Sequence, residues 1–497
     1  MINVNIRSVA SVAALTVGLG GCTVGPDYKR PPLPLSEGYV AVPLPAQTTA
    51  IPIPTGDAQR FLVGGRPSAK WWTALGSPAL TALVEEAMAA NPDVEAAQAA
   101  LRAAQETYRA DRGALFPTVG VGVTGNRQKV PAEVASPQES GASVFNIYTG
   151  QVSVGYTPDL FGGIRRGIES SHAQVEAQRL TVEATYLTLS TNVVNAALQE
   201  AALRGQLAVT EDLAEGQASL RALLQKQFEL GAIARGDVVA QDAALAQTQA
   251  TLPPLRKALA QQRNALAILL GRAPGDQPAA TFDLASFTLP RDLPVSMPAQ
   301  LLEQRPDIRI AEENLRSVNA QYGVAIANRL PNLTLSADTG VAGETFAALS
   351  APGGFIYNLT AGLLQPVFDA GTLKHRASAA RALRDQAAAQ YRGTVLIAFQ
   401  NVADALEAIR SDSEALAAQS RAERSAAESL AIGKRRVALG DVDNAFLLQA
   451  QTTYLEARLA VIEAQAARFS DTVALFQALG GGWDNGPQPT KLAGASR

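Results

Sequence analysis

Two histidines, His172 and His375, and a single cysteine, Cys22, are the side chains best suited to nucleophilic or metal chemistry. Both histidines fall in segments of helical period, and neither forms a nucleophile–base arrangement with a serine or cysteine. So few ligands cannot build a His/Cys metal cluster within one chain, and one cysteine leaves no internal disulfide to place. The acidic residues are spread along polar helix faces. No glycine-rich phosphate loop follows a strand. Gly162-Gly163 and Gly480-Gly481-Gly482 fall at helix ends, where glycine is ordinary. The expectation is a protein that is not an enzyme, with no catalytic, metal-binding or cofactor-binding residue. A net charge of −3 argues against a nucleic-acid partner.

The chemistry open to Cys22 is to accept a lipid. Arg7 supplies a thin positive region, Val9 to Leu19 is short and apolar, and Gly20-Gly21 precede the cysteine. Leu19-Gly20-Gly21-Cys22 resembles a bacterial lipoprotein box, whose cysteine is lipidated after cleavage. Residues 1–21 thus read as a lipoprotein signal peptide, with diacylglycerol and N-acyl lipid expected on Cys22. The alternative is a plain signal peptide with a chance cysteine. Each buried methylene contributes about 0.8 kcal/mol, so several acyl chains make a firm anchor. Residues 22–70 carry nine prolines, eight of them from Pro26 to Pro54, and read as an extended lipidated segment.

The elements behind these residues come in two copies. Asn91-Pro92-Asp93-Val94 through Phe116-Pro117 returns as Arg305-Pro306-Asp307-Ile308 through Leu330-Pro331, at a constant spacing of 214 residues. Each copy predicts a helix, with Pro and Asp in its first turn and a closing proline that cannot continue it. Further on, Leu230-Gly231 returns as Leu439-Gly440, and Leu270-Gly271 as Leu479-Gly480, both at a spacing of 209. The predicted organisation is a first repeat at 71–271, a connector at 272–300 and a second repeat at 301–483. A disordered tail is expected at 484–497.

After each closing proline the period changes to two. Val119, Val121 and Val123 alternate with Thr118, Gly120, Gly122 and Thr124. Tyr148, Val152, Val154 and Tyr156 alternate with Thr149, Gln151, Ser153 and Thr157. In the second repeat, Leu333, Leu335, Ala337 and Val341 oppose Asn332, Thr334, Ser336 and Asp338. Phe355, Tyr357, Leu359 and Leu363 oppose Asn358, Thr360 and Gly362. This predicts two β-hairpins, at about 117–160 and 331–369. Each strand is about ten residues long, near the ~9–11 of a tilted membrane strand. Any one strand alone would read as half-buried and soluble. Four matched strands in an exported chain read as membrane.

Long helices follow each hairpin. Gly163 to about Glu229 holds no proline and would span roughly 100 Å if unbroken. A turn at Leu230-Gly231 leads to a return helix ending near Gly271, with a kink risk at Pro253-Pro254. The second repeat does the same from Gly371 to about Ala438, turns at Leu439-Gly440-Asp441, and returns to Leu479. Four strands cannot close a barrel, and an open edge in lipid leaves backbone groups unpaired. The chain must therefore assemble with copies of itself. Two copies give eight strands, a filled interior; three give twelve, which leave a lumen.

These motifs together resemble the outer-membrane factors of tripartite, RND-type efflux systems, in their lipoprotein branch. The match runs over nearly the whole chain. It includes Cys22 to Tyr28, Trp71-Trp72, the Asn91/Arg305 repeat and Asp159-Leu160-Phe161-Gly162. It also includes the echo Gln365 to Asp369, and Leu479-Gly480-Gly481-Gly482-Trp483. The resemblance implies a mainly α protein with membrane β: a homotrimeric, twelve-stranded outer-membrane barrel, four strands per protomer, continuous with a long periplasmic α-helical barrel. It implies docking of a periplasmic adaptor at the tips Leu230, Gly231, Leu439 and Gly440, and an inner-membrane pump reached through that adaptor. The family often carries Leu-Asp-Ala-Gln after the second tip, where the Asp rings the periplasmic gate. Here the run is Leu448-Gln449-Ala450-Gln451. Gln449 lacks that carboxylate, so Asp441 or Asp443 would have to supply it; the plainer alternative is a solvated turn with an Asp helix cap.

The implied function is a passive exit duct conducting small molecules from adaptor and pump to the exterior. Two alternatives stay open: a non-transporting trimeric tether, and the outer-membrane component of a type I secretion system. A polar strand face separates a duct from a tether, which has no use for one.

Overall fold

The computed structural model describes residues 23–33, 38–40, 45–53, 55–130, 143–439 and 444–482. The signal segment, Cys22, Gly440, Asp441, Asp443 and the tail 484–497 lie outside the described residues.

In chain order the elements are β1 (Arg60–Val63), α1 (Pro78–Ala90), α2 (Pro92–Gly113), β2 (Thr118–Val130), β3 (Ser143–Tyr156) and α3 (Gly163–Glu229). There follow α4 (Arg235–Leu269), β4 (Asp292–Val295), α5 (Pro298–Gln304), α6 (Pro306–Ala327), β5 (Asn332–Gly343), β6 (Phe355–Leu364), α7 (Thr372–Ala438) and α8 (Asn444–Ala478). Short 3-10 turns lie at Trp71–Leu75, Leu284–Ser286 and Phe346–Ser350.

The duplication is visible in element lengths. α2 and α6 are both 22 residues, α3 and α7 both 67, α4 and α8 both 35. Local chemistry accounts for the ends. Ser77 caps α1 by accepting from the Leu80 N–H, with Pro78 at the first helical position. Asn91 breaks α1 from α2, and its Oδ1 accepts from the Asp93 N–H at 2.8 Å. Arg435 and Arg436 sit in the last turn of α7, where cations complement the helix dipole. α4 runs on through Pro253 and Pro254.

The chain folds as two compact units that cut across the repeats. Of the described residues, the first takes those up to Pro31, with Leu101–Gln178 and Ala311–Tyr391; the second takes the others. The first unit holds a four-stranded sheet of order β2-β3-β5-β6, antiparallel throughout. Its strands are 13, 14, 12 and 10 residues long, so the first hairpin is longer than its alternation pattern predicts. An N-terminal strap is clamped in the same unit. Glu312, almost wholly buried, accepts from Tyr28 Oη at 3.1 Å and from Arg30 through both oxygens, at 3.1 and 2.7 Å. Burial resists ionisation of Glu312, but the Arg30 hydrogen bond and the charges of Arg30 and Arg316 outweigh it and hold the carboxyl below its ordinary range. Arg166 binds the same strap through the Val24 and Gly25 carbonyls and Asp27.

The second unit has the main apolar core. Trp71, Leu75, Leu80, Val84, Val193, Phe287, Phe469 and Phe476 pack together. Trp71 stacks on Phe476 with ring centroids 5.6 Å apart. Burying each such side chain stabilises by about 1.5–3 kcal/mol. Buried Glu200 ties down the connector, accepting from the Phe282 N–H at 3.0 Å and from Arg263 at 3.3 Å. A parallel pair, β1 with β4, joins the N-terminal segment to that connector. Two four-residue strands, one containing Pro294, are too short to show a period in sequence.

Candidate functional site

The sheet in the first unit collects every strand face the alternation predicts. Val121, Val152, Thr339 and Tyr357 stand in one row across the four strands, and Val119, Val154, Ala337 and Leu359 in the next. Tyr156, Leu335 and Ala361 make a third row. Val121 is 81% exposed, Tyr357 72% and Leu359 75%, so no layer among the described residues covers this part of the apolar face. A patch of this extent is far beyond ordinary scattered surface hydrophobes. The opposite face is polar. Gly120, Ser153, Asp338 and Asn358 make one row, and Thr118, Gly155, Ser336 and Thr360 another. Gln151 Nε2 donates to Ser153 Oγ at 3.2 Å on this face. Among the described residues, the outer edges of β2 and β6 have no strand partner.

Each hairpin hands over to its long helix through one aspartate. Asp159 accepts from the N–H groups of Ile164 at 3.1 Å and Arg165 at 2.9 Å. Asp369 accepts from those of Gly371 at 2.9 Å and Leu373 at 2.7 Å. The Leu373 N–H, with that of Gly371, holds the Asp369 carboxyl below its ordinary range. The echo of these motifs was visible in sequence; their shared role as caps of α3 and α7 was not.

The tips belong to the second unit. α3 ends in a left-handed residue, Gly231, at φ 75°. The Ala232 N–H donates to the Gln227 carbonyl at 2.8 Å and the Gly231 N–H to that of Phe228 at 2.9 Å, the paired bonds of a Schellman stop. Leu230 is 85% exposed and Leu439 79%. Beneath them Leu224, Val238, Leu430, Val437 and Leu447 form a closed apolar cluster, with Ile233 and Tyr454 against it. The leucines at the turns are therefore surplus to this chain's own packing. Gln449 is exposed, and its Nε2 donates to Thr453 Oγ1 at 3.3 Å, one turn along α8. Arg221 and Asp242 pair across α3 and α4 at 2.7 Å. His172 packs edge-on against Tyr108, with centroids 5.4 Å apart, in the first unit. Among the described residues, no group of three or more His, Cys, Asp or Glu could hold a metal ion. No described helix is long and apolar enough to cross a membrane.

The chain is 31% identical to the toluene efflux pump outer membrane protein TtgF of Pseudomonas putida, over 95% of this chain and 96% of that one. It is 30% identical to the outer membrane protein OprJ of Pseudomonas aeruginosa, over 96% of each. The solved structure of the outer-membrane channel OprN superposes with a TM-score of 0.82 at 28% identity, covering 93% of this chain and all of that one. The outer membrane efflux protein family matches residues 83–272 and 297–481, one segment in each repeat, and the chain belongs to that family.

Proposed function

We propose that this chain is the outer-membrane exit duct of a tripartite efflux system, passively conducting small molecules to the exterior. The observation that carries the reading is the sheet: one continuous apolar face, one polar face and two edges without partners. In hydrocarbon an unpaired edge costs several kcal/mol per group, so copies of the chain close it edge to edge. Three copies make a twelve-stranded barrel wide enough for a wet lumen, which the polar face lines. Lipid on Cys22 adds an anchor to the outer membrane. The leucine–glycine tips dock a periplasmic adaptor that leads to the inner-membrane pump. Asp441 or Asp443 supplies the gate carboxylate that Gln449 lacks. Relatives named for toluene efflux support small organic molecules as cargo. The reading is of a conduit and not of an enzyme.

Purified protein added to a planar bilayer should give stepwise conductance, and light scattering in detergent should report a trimer. A trimer that inserts yet never conducts would overturn the duct in favour of a structural tether.

A further inference from the structure

Asp412 on α7 and Asp471 on α8 lie within hydrogen-bonding reach of each other in the second unit. The seam around them mixes apolar and polar groups: Ile409, Leu416, Phe469 and Val473 are fully buried, and Ser413, Arg468 and Thr472 are buried beside them. Asp412 Oδ2 is buried and has no donor among the described residues. Asp471 offers it only another carboxyl oxygen. Two ionised carboxylates in that arrangement repel, whereas two carboxyls with one proton between them form a hydrogen bond.

The nearby cation is committed elsewhere. Arg468 Nε donates to Gln59 Oε1 at 3.3 Å and Nη1 to the Thr55 carbonyl at 3.2 Å. Its Nη2 donates to Thr48 Oγ1 at 3.1 Å and to the Asp57 carbonyl at 2.5 Å. These bonds hold the N-terminal segment on α8 and leave Asp412 with attraction at a distance only. The Asp57 carboxylate faces Arg291, at 3.7 Å. On its other side Asp471 lines a cavity of about 440 Å³ with Arg305, Asn401, Asp404 and Gln477. Arg305 there is bound to Asp307 and to the Ala478 carbonyl, and Asp404 accepts from Gln400. The cavity gives the pair a route for proton exchange with water.

We propose that Asp412 and Asp471 hold one shared proton that ties α7 to α8, and that its loss as pH rises loosens this seam. No covalent bond changes. The proton leaves to water through the cavity, and the pair goes from one negative charge to two. Burial, and then the Asp471 carboxyl, push the Asp412 carboxyl up to about 7, with Arg468 opposing. The folded protein therefore keeps a proton that the unfolded chain gives up above about 4. The pair's contribution to stability is full below that value and declines as pH rises. It is lost once pH passes about 7. This places a proton-sensitive joint in the second helical hairpin, independent of what the chain transports.

The test is the pH profile of full-length protein in detergent. Asp412→Asn keeps the shape and a hydrogen-bonding group but cannot titrate. The wild-type melting temperature should fall between about pH 5 and about pH 8. Over the same range amide exchange in 405–416 and 467–476 should quicken. In Asp412→Asn both slopes should flatten. Parallel profiles in wild type and variant overturn the proposal, and Asp471→Asn repeats the test if the first variant does not fold. Infrared difference spectra give a second reading. A protonated-carboxyl band at about pH 6 that is gone by about pH 8, and that Asp412→Asn lacks, supports the shared proton; a wild type without such a band, or a variant that keeps it, refutes it.

Discussion

Asn91 and Arg305, equivalent positions in the two repeats, make the same bond. Asn91 Nδ2 donates to the Leu269 carbonyl at 2.9 Å, and Arg305 Nη1 to the Ala478 carbonyl at 2.8 Å. Each carbonyl lies in the last turn of a return helix, where backbone acceptors lack intrahelical partners. The neighbouring glycines repeat as well. Gly271 lies against the Ala90 carbonyl and Gly480 against that of Gln304. The second unit thus contains one joint built twice, neutral in the first repeat and cationic in the second.

Replacing either side chain by alanine should destabilise the protein unequally. Asn91→Ala removes a helix cap and one neutral hydrogen bond, worth about 1–2 kcal/mol together. Arg305→Ala removes charge-assisted bonds to the Ala478 carbonyl and to Asp307, and should cost about 2–3 kcal/mol. Denaturant melts of the two variants check the order. An Asn91→Ala loss larger than that of Arg305→Ala would show that the charge contributes nothing.

The glycines that close the helices should respond by their surroundings. Gly231 and Gly480 both hold positive φ, 75° and 84°. A Cβ at Gly231 meets nothing within 4 Å, whereas at Gly480 it would stand 2.7 Å from the Gln304 carbonyl oxygen. Gly231→Ala should therefore cost only the left-handed penalty of about 1–2 kcal/mol. Gly480→Ala adds overpacking of about 1–3 kcal/mol. Equal melting temperatures for the two variants would contradict the close approach.

What could be read from the sequence follows from where the periods are strict. A sheet with one apolar and one polar face obliges alternation, so Val119 to Val123 and Phe355 to Leu363 declared their faces at once. The helices α3 and α7 showed through unbroken runs without proline. The β1–β4 pair did not, because four residues cannot display a period. Glu312 and Asp412 gave no signal either. Each is one acid among many on a 22- or 67-residue helix, and its meaning comes from a distant partner: Tyr28 is 284 residues from Glu312. Only folding brings such groups together.

The strap clamp predicts a pH response opposite to that of the aspartate pair. The Glu312 carboxyl is held below its ordinary range, so its contribution is present above about 4 and is lost as pH falls through the lowered value. Glu312→Gln keeps the acceptor for Tyr28 but not the charge for Arg30. Because Arg30 and Arg316 are both about two-fifths exposed, solvent screens part of the loss, and about 1–2 kcal/mol is expected. Limited proteolysis should cut residues 23–33 faster in the variant at neutral pH. Cleavage at the wild-type rate would mean that the remaining bonds, from Arg166, from Asn319 to the Pro26 carbonyl and from the Val24 N–H to the Phe161 carbonyl, secure the strap without Glu312.

The tips offer the sharpest functional prediction, because their side chains are free of the fold. Leu230 contributes almost nothing to this chain's packing at 85% exposure. Leu230→Asp should leave the stability within about 0.5 kcal/mol of wild type, as surface substitutions do. Gly231→Trp adds only the backbone penalty, since the space around its Cβ is empty. If an adaptor packs against these turns, an introduced charge there must be desolvated and a bulky ring must be accommodated, and docking fails. A strain dependent on this protein should then become drug-sensitive while trimer yield and membrane location stay unchanged. Gly440→Trp, at the equivalent position in the second repeat, should act in the same direction. Wild-type drug susceptibility in a strain carrying Leu230→Asp, Gly231→Trp and Gly440→Trp together would rule out docking at the tips.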